Sequence, residues 1–257
     1  MNKDSTLYTI LAATVLCLVC SIVVSTAAVK LRPLQEANKI EDKKRNILQV
    51  VGLLEEGQSV EEAFKQVEAR VIDIRSGEYA IDVDATSYDQ RAAASDAAQS
   101  IALDKADDKA AIGAQAKLAS VYLVRNDDGS LKYIILPVHG YGLWSTLYGF
   151  LALEGDGNTV VGLSFYDHAE TPGLGGEVDN PRWKGQWPGK VAYSADGTAS
   201  LALAKGGVDP NKPTAIHQVD GLAGATLTSV GVTNLLQFWL GDLGFRPYLQ
   251  RIQAGQG

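Results

Sequence analysis

No charged side chain occurs from Ser5 to Val29. Leu7, Ile10, Leu11, Val15, Leu16, Leu18, Val19, Ile22, Val23 and Val24 make this run long enough to cross a bilayer as a helix. A cleaved signal peptide is the competing reading, because Ser25-Thr26-Ala27 is a small-residue site. Against it stand an n-region with only Lys3 and an apolar run longer than a usual h-region. A lipoprotein signal is disfavoured, since Val19 precedes Cys20 where a small residue is wanted. Lys30, Arg32, Lys39, Lys43, Lys44 and Arg45 follow the run. By the positive-inside rule they would keep the bulk of the chain in the cytoplasm.

Of the 257 residues, 46% are hydrophobic, enough for a packed core beyond the anchor. The net charge of -7 disfavours nucleic acid and anionic membrane surfaces as partners. The two cysteines, Cys17 and Cys20, sit inside the apolar run. A Cys-x-x-Cys pair is a metal or redox candidate; two small polarizable side chains facing a neighbouring helix are the alternative. No cluster of His, Cys and carboxylates has metal-site spacing.

Beyond the anchor the spacing predicts a helix from Arg32 to Leu53, with Ile40, Ile47, Leu48 and Val51 as its stripe. Ser59-Val60-Glu61-Glu62 reads as a capping box opening a second helix that holds Ala63, Phe64 and Val67. A short strand is expected over Tyr79 to Val83. The Ala- and Asp-rich stretch from Arg91 to Lys117 reads as a surface excursion or a marginal helix. Strands then follow over Val121 to Val124, Tyr133 to Val138, Leu147 to Leu153 and Val160 to Phe165. Asp127-Asp128-Gly129 and Gly155-Asp156-Gly157-Asn158 form hairpin turns. Ser200 to Ala204 and Thr214 to Val219 are further strand candidates. The class is α+β, an N-terminal transmembrane helix followed by a largely antiparallel sheet packed with helices.

Three stretches carry chemistry. The first is Asp220-Gly221-Leu222-Ala223-Gly224-Ala225-Thr226-Leu227-Thr228-Ser229. It lies between a strand end at His217 to Val219 and a helix expected from Val230 to Leu240. Free N–H groups at a helix start suit a phosphate, with Thr226, Thr228 and Ser229 beside it. An ordinary strand–turn–helix junction fits the same residues. The second stretch is His139 to Ser145, where Tyr141, Leu143 and Trp144 offer an apolar wall. The third is His168 to Glu177, where Pro172 and Leu174 extend that wall. Thr171 and the N–H groups of Gly173 to Gly176 would face a polar edge. Tight structural turns are the alternative for both loops. His139, His168 and His217 are expected to make hydrogen bonds rather than a metal site.

Asp220, Gly224, Ala225 and Thr226 match the Asp-x-x-(Ser/Thr)-Gly-Ala-Thr motif of the FMN-binding domain family. Ala223 departs from its hydroxyl position. Glu-Thr-Pro-Gly-Leu-Gly-Gly-Glu at 170–177 resembles that family's second signature. Val138 to Ser145, Leu31-Arg32-Pro33-Leu34-Gln35, Asn46-Ile47-Leu48, Trp183 with Gln186-Trp187, and Phe238 to Asp242 are similar to the C-subunit family of sodium-translocating NADH:quinone oxidoreductases. The related G-subunit family of the Rnf electron-transport complex, which shares the flavin domain, is the alternative; the Arg-Pro-Leu-Gln and Trp-Leu-Gly-Asp segments favour the C-subunit family.

The resemblance implies an FMN joined through its phosphate to Thr226 by a separate flavin transferase. It implies cofactor contacts from Asp220, Gly224, Ala225, Leu227, Thr228, Ser229, Tyr141, Leu143, Trp144, Glu170, Thr171, Gly173, Leu174 and Gly175. It further implies electron relay beside other subunits of a complex in the bacterial inner membrane, with the large domain periplasmic. The expected layout is a tail at 1–6, a transmembrane helix at 7–29 in contact with lipid, a helical connector at 30–75 and an FMN-binding domain at 76–257.

Overall fold

The computed structural model describes residues 6–256. The chain divides into two compact units, Met1–Lys43 and Lys44–Gly257. The expected tail at 1–6 lies outside the described residues except for Thr6, which opens α1 (Thr6–Val50). In the first unit α1 runs on through Pro33, although proline forfeits one helical hydrogen bond. Its apolar side chains from Leu7 to Val29 are exposed, and none of its most apolar stretch is buried within the protein. Such a surface is stable in lipid and not in water.

The second unit begins at Lys44, within the last turns of α1. It continues through α2 (Val60–Phe64), β1 (Val67–Asp73), α3 (Gln90–Ser95), β2 (Ser100–Ala102), β3 (Ala114–Ala116) and β4 (Leu118–Arg125). Then come β5 (Leu131–Tyr141), β6 (Thr146–Glu154), β7 (Val160–Asp167), α4 (Pro181–Lys184), β8 (Ala202–Ala204), β9 (Gln218–Asp220), α5 (Thr226–Trp239) and α6 (Arg246–Gln253). A five-stranded antiparallel sheet in the order β1-β4-β5-β6-β7 is its centre.

That sheet is covered on both faces. Along β4 and β5, Val121, Leu123, Ile134, Leu136 and Val138 face one core together with α5 and α6. Tyr122, Val124 and Ile135 face a second core closed by Ile47, Leu48, Val51, Val60 and Ala63. The period-2 alternation of strand side chains thus feeds two apolar layers, so the strands read as continuous apolar runs in the sequence.

Several expectations are corrected. Ile40 is exposed and α1 ends at Val50, short of the expected Leu53, so its buried side chains are Ile47, Leu48 and Val50, with Val51 buried just past its end. Ser59 occupies the N-cap of α2 but makes no capping hydrogen bond with its side chain. Val67 is not on that helix. It starts β1, whose Val-Glu-Ala-Arg-Val alternation pairs with β4, so 30–75 is not helical throughout. Tyr79 to Val83 makes one isolated bridge, Tyr79 with Ile72, rather than a strand. The stretch 91–117 is neither a bare excursion nor one helix: it holds α3 and the β2–β3 pair. Pro213–His217 is a 3-10 turn, as proline at its first positions favours. Only Gln218–Asp220 is strand there, and it pairs in parallel with β8 in a separate ladder. Finally, α5 begins four residues before the expected Val230.

Candidate functional site

Three loops meet at one buried carboxylate. Glu170 follows β7 and is 5% exposed. Its Oε1 accepts from the backbone N–H groups of Leu143 (3.0 Å), Trp144 (2.9 Å) and Ser145 (3.3 Å). Its Oε2 accepts from the Thr228 hydroxyl at 2.7 Å. The space it fills exists because two neighbours lack side chains. A Cβ at Gly142 would lie 2.6 Å from Oε1, and one at Gly175 would lie 2.6 Å from both Oε2 and the Thr228 Oγ1. Burial pushes the Glu170 carboxyl up, but the Thr228 hydroxyl and the three N–H groups outweigh it and hold the pKa below its ordinary value.

The motif stretch arrives through β9. Asp220 pairs with Ala204 in the β8–β9 ladder. Its N–H donates to Gln186 Oε1 at 2.9 Å, and its carbonyl accepts from Trp183 Nε1 at 2.9 Å. Its carboxylate accepts from the Val208 N–H at 2.8 Å. Asp220 therefore fixes the entry to the turn, and its carboxylate holds the 206–208 loop. Gly224 then adopts φ +72°, which a side chain would resist, and brings the turn against Leu174.

Thr226 is the first residue of α5 and is exposed. Ala225 occupies the N-cap with no side-chain hydrogen bond, so the opening N–H groups of the helix receive no capping oxygen from it. The two hydroxyls that follow are differently placed. Thr228 is fully buried on Glu170. Ser229 is buried too; its Oγ accepts from the Leu222 N–H at 2.9 Å and donates to the Ala225 carbonyl at 3.0 Å. The Thr228 hydroxyl thus holds Glu170, and the Ser229 hydroxyl holds the turn.

Around Thr226 the surface is apolar and open. Trp144 is 66% exposed and Leu227 60%, with Tyr141, Leu174 and Val230 also exposed. Thr171, Pro172 and Gly173 are exposed as well, and Leu143 is half-buried. Of the N–H groups expected to face a polar edge, those of Leu174 (3.1 Å) and Gly176 (2.9 Å) instead bond back to the Thr171 carbonyl. Apolar side chains held in water next to an uncapped helix start fit a ligand that joins a flat apolar ring to a phosphate.

The histidines lie beside the site without forming a cluster. His168 Nε2 lies 2.9 Å from Asp179 Oδ2, and its Nδ1 accepts from the Glu170 N–H at 3.3 Å. His217 Nδ1 donates to the Val191 carbonyl at 2.7 Å. His139 stacks on Tyr148 with ring centroids 5.2 Å apart, and its carbonyl accepts from Trp239 Nε1 at 2.6 Å. Burial, with help from the Arg91 charge, pulls its pKa down to about 4. Among the described residues, no group of three or more His, Cys, Asp or Glu is placed to hold a metal ion. Cys17 and Cys20 are exposed on α1.

Sequence reasoning missed the parts played by Trp183 and Gln186, whose side chains clamp the Asp220 backbone, and by Arg91, which lies 3.7 Å over the Tyr148 ring and pairs with Asp167 at 2.8 Å. Their partners are distant in the chain, so no local spacing points to them.

Comparison with known proteins bears on the same region. The FMN-binding domain family matches residues 142–241, from the Glu170-bound loop to the end of α5. The C subunit of the Na(+)-translocating NADH-quinone reductase of Pseudomonas aeruginosa is 52% identical, with 99% of each chain covered. The Vibrio anguillarum C subunit is 48% identical, covering 99% of this chain and 98% of that one. The crystal structure of Shewanella oneidensis NqrC superposes with a TM-score of 0.77 at 35% identity, covering 85% of this chain and 99% of that chain. The shared fold, the FMN-binding domain and identity along nearly the whole length lead to one conclusion: this chain belongs to the family of C subunits of Na(+)-translocating NADH-quinone reductases.

Proposed function

We propose that the chain is a membrane-anchored flavoprotein subunit that carries one FMN on Thr226 through a phosphoester bond. It relays electrons between other subunits of an NADH:quinone reductase whose turnover is coupled to sodium export. The observation that carries this reading is the contrast among three neighbouring hydroxyls. Thr226 is exposed at the opening of α5, whereas Thr228 and Ser229 are buried and already hydrogen-bonded. A transferase therefore meets one hydroxyl on a turn with little side-chain bulk at Gly224 and Ala225. Threonine is a weak nucleophile without a positioned base, which is why a separate enzyme is needed.

Each part of the site has a share in this reading. The opening turn of α5 directs N–H groups and the positive end of its dipole toward the phosphate. Tyr141, Leu143, Trp144, Pro172 and Leu174 flank the ring, with Leu227 beside the tether and Thr171 and Gly173 at the polar edge. FMN supplies one-electron chemistry when bound, and the protein supplies placement and surroundings. NADH binding belongs to another subunit, since no Gly-x-Gly-x-x-Gly fingerprint follows a strand here. α1 fixes the subunit in the inner membrane with the second unit on the periplasmic side; a covalent tether suits a compartment where a lost flavin is not readily replaced. The deciding test is expression with an active flavin transferase, followed by peptide mass spectrometry. An FMN-mass adduct on Thr226 that vanishes in Thr226→Ala supports the reading; an adduct on Thr228 or Ser229, or none at all, refutes it.

A further inference from the structure

We infer that Glu170 is a positioning residue for the flavin site, holding the Trp144 loop against the first turn of α5 so that the ring wall stands ready before any flavin arrives. The inference rests on the proposed attachment at Thr226. Glu170 itself is too enclosed to serve as a ligand group. It is 5% exposed, and both carboxylate oxygens are taken, one by Leu143, Trp144 and Ser145, the other by Thr228. What it does is geometric. One oxygen gathers three consecutive N–H groups of the loop that presents Trp144, while the other is bonded two residues past Thr226 on α5. The tether point and the exposed indole are thus linked through one rigid group.

Two further observations support a built device rather than an incidental bond. Gly142 and Gly175 each leave out the Cβ that would collide with the carboxylate, so loops from either side close on it. The opposite face of the Trp144 loop is fixed separately, since Ser145 Oγ accepts from the Ala169 N–H at 2.7 Å and the Gly142 N–H donates to the Ser145 carbonyl at 2.8 Å. Without Glu170, three buried or half-buried N–H groups and the Thr228 hydroxyl would need new partners. The Thr228 hydroxyl would then lie buried without its acceptor. The pairing therefore ties the orientation of the wall to the first turn of α5.

The experiment uses the full chain in detergent, prepared with and without flavin transferase, as wild type, Glu170→Gln, Thr228→Val and Thr228→Ser. An amide at position 170 removes the charge and turns a donor toward Thr228, whose hydroxyl must then accept rather than donate. In the flavin-free chains, hydrogen exchange at Leu143 to Ser145 should speed up by about fivefold in Glu170→Gln, the factor for exchanging a charged acceptor for a neutral one. Thr228→Val should do so less, and Thr228→Ser should match wild type. In the flavin-bearing chains, the absorption spectrum and midpoint potential should shift in Glu170→Gln and Thr228→Val and return to wild type in Thr228→Ser. Shifts of this kind with a normal circular dichroism spectrum support the inference. Unchanged exchange, spectra and potentials in both disruptive variants overturn it. A wild-type chain with no adduct at Thr226 overturns instead the attachment on which it rests.

Discussion

The Thr228 hydroxyl reaches 2.7 Å across to Glu170 Oε2 and so joins two residues 58 positions apart inside the core beside α5. Removing it strands a carboxylate oxygen that water does not reach. Thr228→Ala should therefore lower unfolding free energy by about 1–3 kcal/mol, the range for an unsatisfied buried partner. Chemical denaturation of the full chain measures this. Loss of less than a few tenths would show that the bond contributes little.

A separate signature comes from pH. The His139 imidazole titrates near 6.5 when unfolded and about 4 when folded. Between those values the unfolded chain binds the proton and the folded chain does not, so stability falls as pH drops from 6.5 to about 4 and levels off below. The full effect is up to ~3 kcal/mol at ~1.4 kcal/mol per pKa unit. Glu170 acts in a lower window. Its folded pKa lies below the ordinary value of 4.5, so its contribution is complete above that pH and is lost as pH falls through the folded pKa. Denaturation midpoints across pH 3.5–7.5 should show the upper slope in wild type and not in His139→Phe.

Two tryptophans should behave in opposite ways. Trp239 is 1% exposed at the centre of an aromatic group with His139, Phe238 and Phe245, so Trp239→Ala should cost about 3–5 kcal/mol. Trp144→Ala removes a side chain that projects into water, and thermal unfolding should change by within ~0.5 kcal/mol. The flavin absorption of the transferase-treated chain should nevertheless move. A large loss of stability in Trp144→Ala would return that residue to the core.

Close packing around Glu170 gives a third class of variant. Gly175→Ala sets a methyl 2.6 Å from Glu170 Oε2 and from Thr228 Oγ1, so one of them must shift. A cost of about 1–3 kcal/mol is expected for such overpacking. Gly173→Ala next to it should strain the backbone alone, because Gly173 has φ +77° and open space around it. Comparing the melting temperatures of the two variants separates crowding from backbone strain.

Orientation is open to direct measurement. Protease added to intact spheroplasts should digest the second unit if it lies in the periplasm, leaving a fragment that contains α1. Complete protection would mean that Lys30, Arg32, Lys39, Lys43, Lys44 and Arg45 set the topology as the positive-inside rule states.

How far the sequence speaks depends on distance along the chain. The hairpin strands β4 to β7 were legible because each is an apolar run closed by a short turn, and sheet partners are neighbours in sequence. Val67 was misread because a lone valine after a helix fits either period, and only pairing with Val124 decides it. The β8–β9 ladder was illegible in its direction, because a parallel pair needs a crossover that no local spacing announces. At the site, Thr226 was legible as a motif residue, and the exposed Trp144 and Leu174 as loop residues. The engagement of Thr228, Ser229 and Asp220 was not, since their partners Glu170, Leu222 and Val208 are set by tertiary folding.

Helix α5 starts at Thr226 behind Ala225, an N-cap with no side-chain oxygen to close it. If a phosphate on Thr226 satisfies those opening N–H groups, empty and loaded chains differ in how often that turn opens, by the ~0.5–2 kcal/mol of a good cap. A housekeeping protease that samples transient openings would then discard empty subunits several times faster than loaded ones, so cofactor status would be read out as subunit lifetime before assembly.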